Sequence, residues 1–408
     1  MTVVRDGKLV IFGEADDKTL QQARDVAARA ERVVLCADNH LGYIMPIGGV
    51  AAYRDKVSVA GVGFDIACGN AAIKTDLALE RIQSDLPVIA DEIAATISFG
   101  LGRRNVADDA PVDHPLFEDE AWEVIPGRHE RERLKSKARE QLGTVGSGNH
   151  YVDLFTDESG TIWVGVHFGS RGFGHTVAQG FMARSQGKAW GTRVKEAEAL
   201  LSLREPLGRD YWALMELAGR YAYAGREWVA RKVVSLLGAG ELELVHNHHN
   251  FAWREKHNGE EYVVVRKGAT PAFPGQESFV GGSMGDNAVI LQGSQKADAE
   301  VRNLQRAALF STVHGAGRVM SRTEAGGKWD FKRRKQKKPG KISREMMKAW
   351  LAEKGVILRG GGTDESPHVY RRLEEVLDAQ GETVEILHVL RPLVVVMAGE
   401  KEFDPYKD

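Results

Sequence analysis

The chain has 408 residues, 43% of them hydrophobic and 27% charged, which is the composition of a globular protein and excludes a disordered or collagen-like chain. Acidic and basic residues nearly balance at a net charge of −2, so no global basic field indicates a nucleic-acid partner. Its two cysteines, Cys36 and Cys68, exclude a disulfide framework and predict a reducing, cytoplasmic location.

Neither secretion nor membrane insertion is predicted. Charged residues and glycine interrupt the short apolar stretch within residues 1–17, so no secretory leader forms there. No run of the sequence reaches the roughly 18 apolar residues that a membrane-spanning helix requires. We therefore expect no membrane partner.

The first third of the chain predicts strands and helices on either side of a glycine-rich stretch. Strands are predicted at 8–12, 33–36 and 71–75, and helices at 18–32 and 79–97. The strand at 33–36 is predicted to run into a loop with Asp38 and His40, and a glycine-rich stretch follows through Gly69. Residues 103–127, rich in Asp, Glu and Pro, predict surface loops.

The remainder of the chain predicts a mixture of helices and strands. Apolar runs at 151–155 and 162–166 flank the turn Asp157-Glu-Ser-Gly160, which is typical of a β-hairpin. Further helices are predicted at 130–141, after Gly174 and over most of 200–237, and further strands at 243–249, 261–266, 287–292 and 393–397. Because no repeat or linker divides the sequence, we predict an α+β fold: one large intertwined domain over residues 1–408, with mixed strands and surrounding helices.

Residues 328–341 break the balance of charge. This run, Lys328-Trp-Asp-Phe-Lys-Arg-Arg-Lys-Gln-Lys-Lys-Pro-Gly-Lys341, is strongly basic and contains two aromatic residues. A run of this kind is commonly a solvated loop. The alternative is a flexible basic arm on the surface that neutralises nucleic-acid phosphates.

The common nucleotide-binding motifs are absent. The nearest match to a P-loop, Gly169-Ser-Arg-Gly-Phe-Gly174, lacks the lysine that must follow its last glycine. The sequence also contains no dinucleotide fingerprint, no nucleophile elbow and no K-x-D-G motif of lysine-nucleophile ligases. None of these common motifs therefore predicts nucleotide binding or nucleotide chemistry for this chain.

Four short segments each place potential metal ligands beside glycine or asparagine. They are Gly63-Phe-Asp65-Ile-Ala-Cys68-Gly69, Gly148-Asn149-His150, Val166-His167-Phe-Gly-Ser-Arg171 and His246-Asn-His-His249-Asn250. A thiolate with imidazoles and a carboxylate suits a borderline transition metal rather than Mg²⁺ or Ca²⁺. The segments offer more ligands than one tetrahedral site needs, which indicates two neighbouring ions.

Each of these ligands alone has a structural explanation. A lone Cys68 is more commonly a small buried apolar residue, and a single His167 at a strand end is more commonly hydrogen-bonded for structure. The joint occurrence of the four segments is what predicts a metal centre.

A fifth segment, Val313-His314-Gly-Ala-Gly-Arg318, has small residues after its histidine. They leave the His314 ring accessible and let backbone N–H groups approach a phosphate, while Arg318 and Arg322 add positive charge. The segment is either a glycine-rich helix end or the place of a histidine nucleophile, since an imidazole nitrogen can form a phosphoramidate.

In this order, the segments resemble the RtcB family of RNA ligases. The matching pieces are Asp38-Asn-His-Leu-Gly42, Pro46-Ile-Gly-Gly-Val50, Gly61-Val-Gly-Phe-Asp65-Ile-Ala-Cys68-Gly69, Gly146-Ser-Gly-Asn-His150, His167-Phe-Gly-Ser-Arg-Gly172, Arg266-Lys-Gly-Ala-Thr270, Gly282-Ser-Met-Gly285 and His314-Gly-Ala-Gly-Arg-Val-Met-Ser-Arg322. They span roughly residues 33–399, which is nearly the whole chain.

The resemblance implies a GTP- and Mn²⁺-dependent ligase, with two ions, acting in tRNA splicing or RNA repair. Such enzymes join RNA that ends in a 3′-phosphate or 2′,3′-cyclic phosphate to RNA with a 5′-hydroxyl, and often work with a small activating protein, archease. The manganese follows from the resemblance alone, because the Irving–Williams order places Zn²⁺ above Mn²⁺ for these ligands.

The resemblance also implies a role for individual residues. His314 would be the catalytic nucleophile that carries GMP, and the metal ligands would be Asp65, Cys68, His150, His167 and His249, with His246 as an alternative to His249. Guanylate contacts would come from Asn149, Tyr151, Asp153, Ser283, Gly315, Ala316, Gly317 and Tyr370. RNA phosphates would meet Arg171, Lys267 and Arg322.

Two departures from the family pattern concern the guanine. The family usually has Glu where this chain has Asp153, and a terminal Lys-Gly where it has Met397-Ala398-Gly399. Two alternatives follow: a specialised paralogue with changed nucleotide preference, or a metal-dependent phosphoesterase that opens cyclic phosphates without sealing. An RNA-binding protein without catalysis is a third alternative, which leaves the metal ligands unexplained.

Overall fold

Two large sheets with helices packed on them make up most of the structure. The computed structural model describes residues 3–195, 197–330, 335–400 and 402. Its strands are β1 (Val3–Asp6), β2 (Leu9–Phe12), β3 (Arg32–His40), β4 (Ile47–Tyr53), β5 (Lys56–Ser58), β6 (Gly69–Ala78), β7 (Tyr151–Thr156), β8 (Thr161–Phe168), β9 (Leu200–Ser202), β10 (Glu241–His248), β11 (Asn250–His257), β12 (Glu260–Lys267), β13 (Ala269–Pro271), β14 (Glu277–Val280), β15 (Ala288–Gly293), β16 (Ser311–Val313), β17 (Lys328–Asp330), β18 (Lys335–Lys338), β19 (Ile357–Gly361) and β20 (Val384–Gly399).

The helices lie outside the sheets. They are α1 (Asp17–Ala27), α2 (Val59–Val62), α3 (Leu86–Thr96), α4 (Arg128–Gln141), α5 (Arg171–Ser185), α6 (Pro206–Leu236), α7 (Ala299–Ala307), α8 (Arg322–Gly326), α9 (Arg344–Lys354) and α10 (Leu373–Gln380). Short 3₁₀ turns occur at Leu79–Arg81, Pro115–Glu118, Glu120–Val124, Thr363–Glu365, Pro367–Val369 and Gly381–Thr383. No helix in the described ranges is long and apolar enough to cross a membrane.

The strand order defines the two sheets. The first has the order β1-β2-β3-β4-β12-β11, and the second has the order β10-β6-β8-β7-β20-β15-β14 with β19 also paired to β20. Most neighbours are antiparallel, but β2–β3 and β19–β20 are parallel. Helices and mixed sheets together confirm the predicted α+β fold class.

The second sheet brings four strand termini to one edge. His248 at the end of β10 lies opposite Gly69 at the start of β6, and Gly69 lies opposite Phe168 at the end of β8. On the other side of β8, His167 lies opposite Tyr151, the first residue of β7. Because neighbouring strands run in opposite directions, the start of one strand meets the end of the next.

Helix α6 supports that sheet from behind. Its apolar residues Val229, Ala230 and Val233 are buried in one cluster with Val164 and Val166 of β8. A second face of the same helix is buried against α5 in another cluster. At 31 residues, α6 spans both clusters and gives the strand ends a continuous support.

Several predicted elements are confirmed. The predicted hairpin forms, as β7 and β8 pair antiparallel around the turn at 157–160, and the apolar run 393–397 lies within the buried half of β20. The helix expected after Gly174 begins earlier, at Arg171.

The predicted loop at Asp38 and His40 was wrong, because β3 extends through both residues, and the glycine-rich stretch that follows contains a strand that was not predicted. This strand is β4, a central strand between β3 and β12. A Cβ on Gly49 would lie 2.7 Å from the carbonyl oxygen of Pro46, so the small residue is required by close backbone packing. Glycine in this strand therefore marks a tight approach rather than a turn.

Strand β11 was also missed. Its sequence, Asn250–His257, is largely polar, but it pairs along its whole length with β12 around a turn at Asn258-Gly259. Both turn residues have positive φ, 53° and 86°, as a two-residue hairpin loop requires. Tertiary pairing overrides the weak strand propensity of the polar residues.

Candidate active site

The predicted metal ligands stand at the edge where the strand termini of the second sheet meet. Cys68 directly precedes β6, His150 directly precedes β7, and His167 is the next-to-last residue of β8. His249 follows β10, and its backbone N–H donates to the carbonyl oxygen of Cys68 at 2.8 Å. The register of the sheet thus makes Cys68 and His249 adjacent, although they are 181 positions apart in sequence.

The ligand atoms form two groups that share the Cys68 thiol. Sγ of Cys68 lies 3.3 Å from Nε2 of His167 and 3.7 Å from Nε2 of His150. Nε2 of His150 lies 3.1 Å from Oδ2 of Asp65. In each group, Cys68-His167-His249 and Asp65-Cys68-His150, the potential ligand atoms lie within 4.8 Å of one another.

These residues fit a metal centre. Soft thiolate, imidazole and carboxylate donors together suit a transition metal, and the shared thiol suits two neighbouring ions. Nδ1 of His249 is buried and has no hydrogen-bond partner among the described residues. A buried ring nitrogen of this kind is normally bonded, so the polar lining at His249 is incomplete without a bound group.

Burial sets the protonation of the ligand side chains. Burial, together with neighbouring histidines, lowers the pKa of His167 and His249 well below the usual value, which keeps their rings neutral as metal binding needs. Burial and the nearby Asp65 carboxylate raise the pKa of the Cys68 thiol well above its usual value. A bound cation is the interaction that would favour its thiolate form.

Close packing behind the ligands explains two of the glycines. A Cβ on Gly69 would collide with the carbonyl oxygen of Asn247, and one on Gly169 would collide with the carboxylate of Asp65. The first glycine lets β6 and β10 approach, and the second leaves room for the acidic ligand. Glycine beside these ligands is thus a packing requirement.

The structure distinguishes the two candidate histidines of the 246–250 segment. The His249 ring lies 5.1 Å from the His167 ring, centroid to centroid, on the side of the ligand groups. The His246 ring instead receives a hydrogen bond from Arg226 and lies 3.5 Å from Glu227. Of the two, only His249 belongs to a ligand group in the described part of the chain.

His314 follows β16 and faces the ligand groups. Its ring centroid lies 4.9 Å from that of His249. The fully buried carboxylate of Asp38, on β3, lies 2.5 Å from Nδ1 of His314 and accepts the backbone N–H of the same residue at 2.9 Å. A carboxylate accepts, so Nδ1 carries the proton, which leaves a lone pair on Nε2.

Sequence reasoning missed the role of Asp38. The residue stands in a motif that was noted, but its spacing to His314 spans 276 positions and gives no sign that the two side chains meet. The first sheet carries Asp38 to the site on one strand, and the strand pair β13–β16 carries His314. The contact depends on tertiary structure alone.

Part of the predicted nucleotide set stands on β7 of the second sheet, close to His167. The Tyr151 ring lies 5.3 Å from the His167 ring, and its hydroxyl is adjacent to Gly281, which pairs with Gly315. The Tyr151 hydroxyl and Oδ1 of Asp153 are buried without a hydrogen-bond partner among the described residues. Burial raises the pKa of the Asp153 carboxyl well above its usual value.

A buried carboxylate that the sequence did not indicate, Glu365, organises another part of the set. It accepts from Nη1 of Arg318 at 3.1 Å and from Nε of Arg322 at 2.7 Å, and the hydroxyl of Tyr370 donates to it. Arg322 also lies 3.5 Å from Oδ1 of Asn149. Predicted nucleotide residues, Asn149 and Tyr370, and a predicted RNA contact, Arg322, are therefore linked in one network.

The remaining predicted nucleotide residues lie on the loops that follow β14 and β16. The hydroxyl of Ser283 donates to Asp286 at 2.7 Å. Ala316 is buried, and Gly317 has a φ of 71°, with its carbonyl accepting from the backbone of Arg371. The turn after His314 therefore requires glycine at 317.

The other two predicted RNA cations are bound to backbone carbonyls. Arg171 donates to the carbonyl oxygen of Gly100 at 3.1 Å, and Lys267 donates to those of Tyr43 and Ala60 at 2.5 and 3.2 Å. Lys267 is buried. Contact of Lys267 with RNA would therefore require a local rearrangement.

The predicted basic arm lies only partly within the structure. Residues 331–334 fall outside the described residues. Of the rest, β17 and β18 form an antiparallel pair, and Lys337 and Lys338 are exposed. An exposed position is compatible with both the solvated loop and the phosphate-binding arm.

Comparison with known proteins gives one family over most of the chain. The family profile described as "RtcB: tRNA-splicing ligase RtcB" matches residues 20–398. The chain is 30% identical to a tRNA-splicing ligase RtcB of Archaeoglobus fulgidus over 95% of this chain and 92% of that protein. It is 31% identical to one of Pyrobaculum aerophilum (89% and 87% covered) and 28% identical to an RNA-splicing ligase RtcB of Escherichia coli (90% of each).

Proposed function

Since the chain belongs to the RtcB family of tRNA-splicing ligases, we propose that it is an RNA ligase that uses GTP and Mn²⁺ in the cytoplasm. Its substrates are an RNA with a 3′-phosphate or 2′,3′-cyclic phosphate and an RNA with a 5′-hydroxyl. The observation that carries the proposal is the His314 ring, held at Nδ1 by buried Asp38 and facing the ligand groups.

The two ligand groups support the proposal of two metal ions. Asp65, Cys68 and His150 would hold one ion, and Cys68, His167 and His249 would hold the other. Bound there, the ions would stabilise negative charge on the phosphates and favour the deprotonated form of an attacking hydroxyl. Manganese rather than zinc comes from the family and not from the donor set.

His314 acts first as a nucleophile on GTP. Nε2 attacks the α-phosphorus, a nitrogen–phosphorus bond forms, and pyrophosphate leaves with the electron pair of the broken phosphoanhydride bond. Positive charge develops on the ring as Nε2 bonds to phosphorus. The Asp38 carboxylate at Nδ1 stabilises that charge and fixes the direction of Nε2, as the acid does in other carboxylate–histidine pairs.

Transfer to RNA and sealing follow in two displacements. An oxygen of the RNA 3′-phosphate attacks the phosphorus held by His314, so GMP passes to the RNA and the imidazole is released. The 5′-hydroxyl of the second RNA then attacks the activated 3′-phosphate, a phosphodiester forms, and GMP leaves. A cyclic phosphate must first be opened by water to the 3′-phosphate. Arg318 and Arg322, the two cations that pair with Glu365, would contact these phosphates.

The guanine side supports a second candidate, a cyclic-phosphate phosphoesterase or a paralogue with changed nucleotide preference. The Asp153 carboxyl is buried with a raised pKa, and Ala398 stands where the family has lysine. A protonated carboxyl can donate a hydrogen bond as well as accept one. A protonated Asp153 would therefore select a different nucleobase than a charged carboxylate would. The metal groups do not depend on either residue.

Sealing of a defined RNA pair tests the proposal. Purified protein is incubated with Mn²⁺, a labelled RNA bearing a 2′,3′-cyclic phosphate and a second RNA bearing a 5′-hydroxyl, with GTP, with ATP or without nucleotide. We expect a sealed product with GTP only. Parallel reactions contain archease, the activating protein that the family resemblance implies. Sealing with ATP supports the changed preference, whereas opening of the cyclic phosphate without sealing or nucleotide supports the phosphoesterase.

A further inference from the structure

Helix α6 carries an arginine, Arg226, that is fully buried directly behind the ligand groups. Nη1 donates to the carbonyl oxygens of Ala67 at 2.9 Å and Phe168 at 2.6 Å. Nε donates to Nε2 of His246 at 2.9 Å, and Nη2 lies 2.8 Å from Nδ1 of His248. One guanidinium therefore holds four groups that come from three different segments of the chain.

The environment of Arg226 differs from that of another fully buried arginine, Arg266. Arg266 pairs with the Glu255 carboxylate through Nη1 at 2.5 Å and Nη2 at 3.1 Å, which compensates its buried charge. Within the described ranges, no carboxylate forms an ion pair with Arg226, whose hydrogen-bond partners are carbonyls and imidazoles and whose guanidinium also lies 5.3 Å from the centroid of the Tyr223 ring. Burial lowers the pKa of Arg226 to about 10, so it stays charged at neutral pH.

A buried charge without a counter-charge is costly. Stability alone does not account for keeping Arg226 in this place. Three of its four partners are residues that directly precede or follow a predicted metal ligand in the sequence. The first carbonyl belongs to the residue before Cys68, the second to the residue after His167, and the second imidazole to the residue before His249.

The turn before Cys68 shows why such a contact matters. Ala67 has a φ of 60°, a left-handed conformation that is unfavourable for a residue with a Cβ. Two hydrogen bonds hold it there: its N–H donates to the carbonyl oxygen of Asn250 at 2.7 Å, and its carbonyl accepts from Arg226. The conformation of this residue sets the direction in which the thiol of Cys68 points.

We propose that Arg226 is a positioning residue for the metal centre, fastening the segments of Cys68, His167 and His249 at fixed separations without touching a metal itself. The inference rests on the proposed metal ligands and names what keeps them in place. Side chains behind a metal site orient its ligands, and their loss typically weakens metal binding 10- to 100-fold.

Metal binding by the full chain tests this role. We compare wild type, Arg226→Lys and the matched variant Arg266→Lys by Mn²⁺ titration followed by electron paramagnetic resonance and by the Co²⁺ thiolate charge-transfer band. Lysine keeps the charge, but its single ammonium cannot span the four acceptors. We expect Arg226→Lys to bind Mn²⁺ at least 10-fold more weakly with an altered Co²⁺ band. Arg266→Lys should lower thermal stability and leave Mn²⁺ affinity within two-fold.

Folded Arg226→Lys with wild-type affinity and spectrum would overturn the proposal. If that variant does not fold, His246→Ala decides, because it removes one acceptor of Arg226 at a partly accessible side chain. We expect a several-fold loss of Mn²⁺ affinity from it, smaller than that of His249→Ala. No loss, or a loss as large as that of His249→Ala, contradicts positioning. A wild-type protein that binds neither metal refutes the metal centre itself, and the role of Arg226 with it.

Discussion

The ligand side of the site lies on the ends of paired strands, whereas the nucleotide side lies on loops and short turns gathered around one carboxylate. On the first side, backbone register sets the distance from Cys68 to His167 and His150. On the second, Arg318, Arg322 and other polar groups depend on Glu365 for their arrangement. Metal binding should therefore survive changes that alter nucleotide use, whereas changes that abolish metal binding should also abolish nucleotide use.

The largest expected effect is the loss of the shared ligand on the strand side. Cys68→Ala removes the one atom common to both groups, so we expect Mn²⁺ affinity to fall by more than 100-fold, with loss of all nucleotide chemistry. Equilibrium dialysis of Mn²⁺ measures this. Cys36→Ala is the matched control, since Cys36 is also a buried free thiol but lies on β3 away from the groups. Unchanged Mn²⁺ binding by Cys68→Ala would remove the thiol from the centre.

The next largest effect is expected at the boundary between the two sides. Asp38→Asn keeps the shape of the side chain but removes the charge at Nδ1 of His314, and we expect nucleotide transfer to His314 to slow by roughly 10²- to 10⁴-fold. Single-turnover labelling measures the rate, and Mn²⁺ affinity should stay within a few-fold. Asp157→Asn is the control, because it changes a buried carboxylate in the β7–β8 turn. A wild-type rate in Asp38→Asn would contradict the role of Asp38.

The carboxylate on the loop side gives a pH-dependent prediction. Burial raises the pKa of Glu365, but Arg322, Arg318 and the Tyr370 hydroxyl outweigh it, so the folded pKa lies below the unfolded one. Its stabilising contribution is therefore present above the unfolded pKa of about 4.3 and is lost as pH falls through the folded pKa.

We expect Glu365→Gln to lower the free energy of unfolding by about 2 kcal/mol near pH 7, with a difference that shrinks at acidic pH. Urea unfolding between pH 7 and pH 3 measures it. Metal binding should be unaffected, since Glu365 belongs to the loop side. A difference independent of pH would show that the carboxylate is not charged in the network.

The smallest expected effect concerns the choice of nucleotide. Asp153→Glu and Ala398→Lys restore the longer acid and the donor that the family has, and we expect the ratio of GTP to ATP use to rise by up to about 10-fold, equivalent to about 1.4 kcal/mol. Competition between the two labelled nucleotides measures the ratio. A ratio unchanged in both variants would place nucleotide selection elsewhere.

The two sides also differ in how far sequence could predict them. Each strand-side ligand stands in a short segment with glycine or asparagine, and the hairpin that carries His150 and His167 was predicted with its turn. The α+β fold class was predicted from the mixture of helical and strand patterns along a chain without repeats or linkers. Strand β4 was missed in the glycine-rich stretch because it depends on its neighbours β3 and β12 rather than on its own propensity.

The missed residues have partners far away in the chain. Asp38 meets a residue 276 positions on, Arg226 bonds to carbonyls 159 and 58 positions before it, and Glu365 binds arginines 47 and 43 positions before it. A buried arginine in a helix or an acid in a short turn has no periodicity that distinguishes it from a surface residue. Their roles follow only once the sheets bring the partners together.

Covalent labelling decides whether His314 is the nucleophile. Wild type, His314→Ala and the control His388→Ala, which changes a partly exposed histidine of β20, are incubated with Mn²⁺ and α-labelled GTP and separated on a denaturing gel. We expect label in wild type and in His388→Ala, sensitive to acid as a phosphoramidate is, and none in His314→Ala. Label that persists in His314→Ala, or none in a folded, metal-loaded wild type with either GTP or ATP, would contradict the role of His314 as nucleophile.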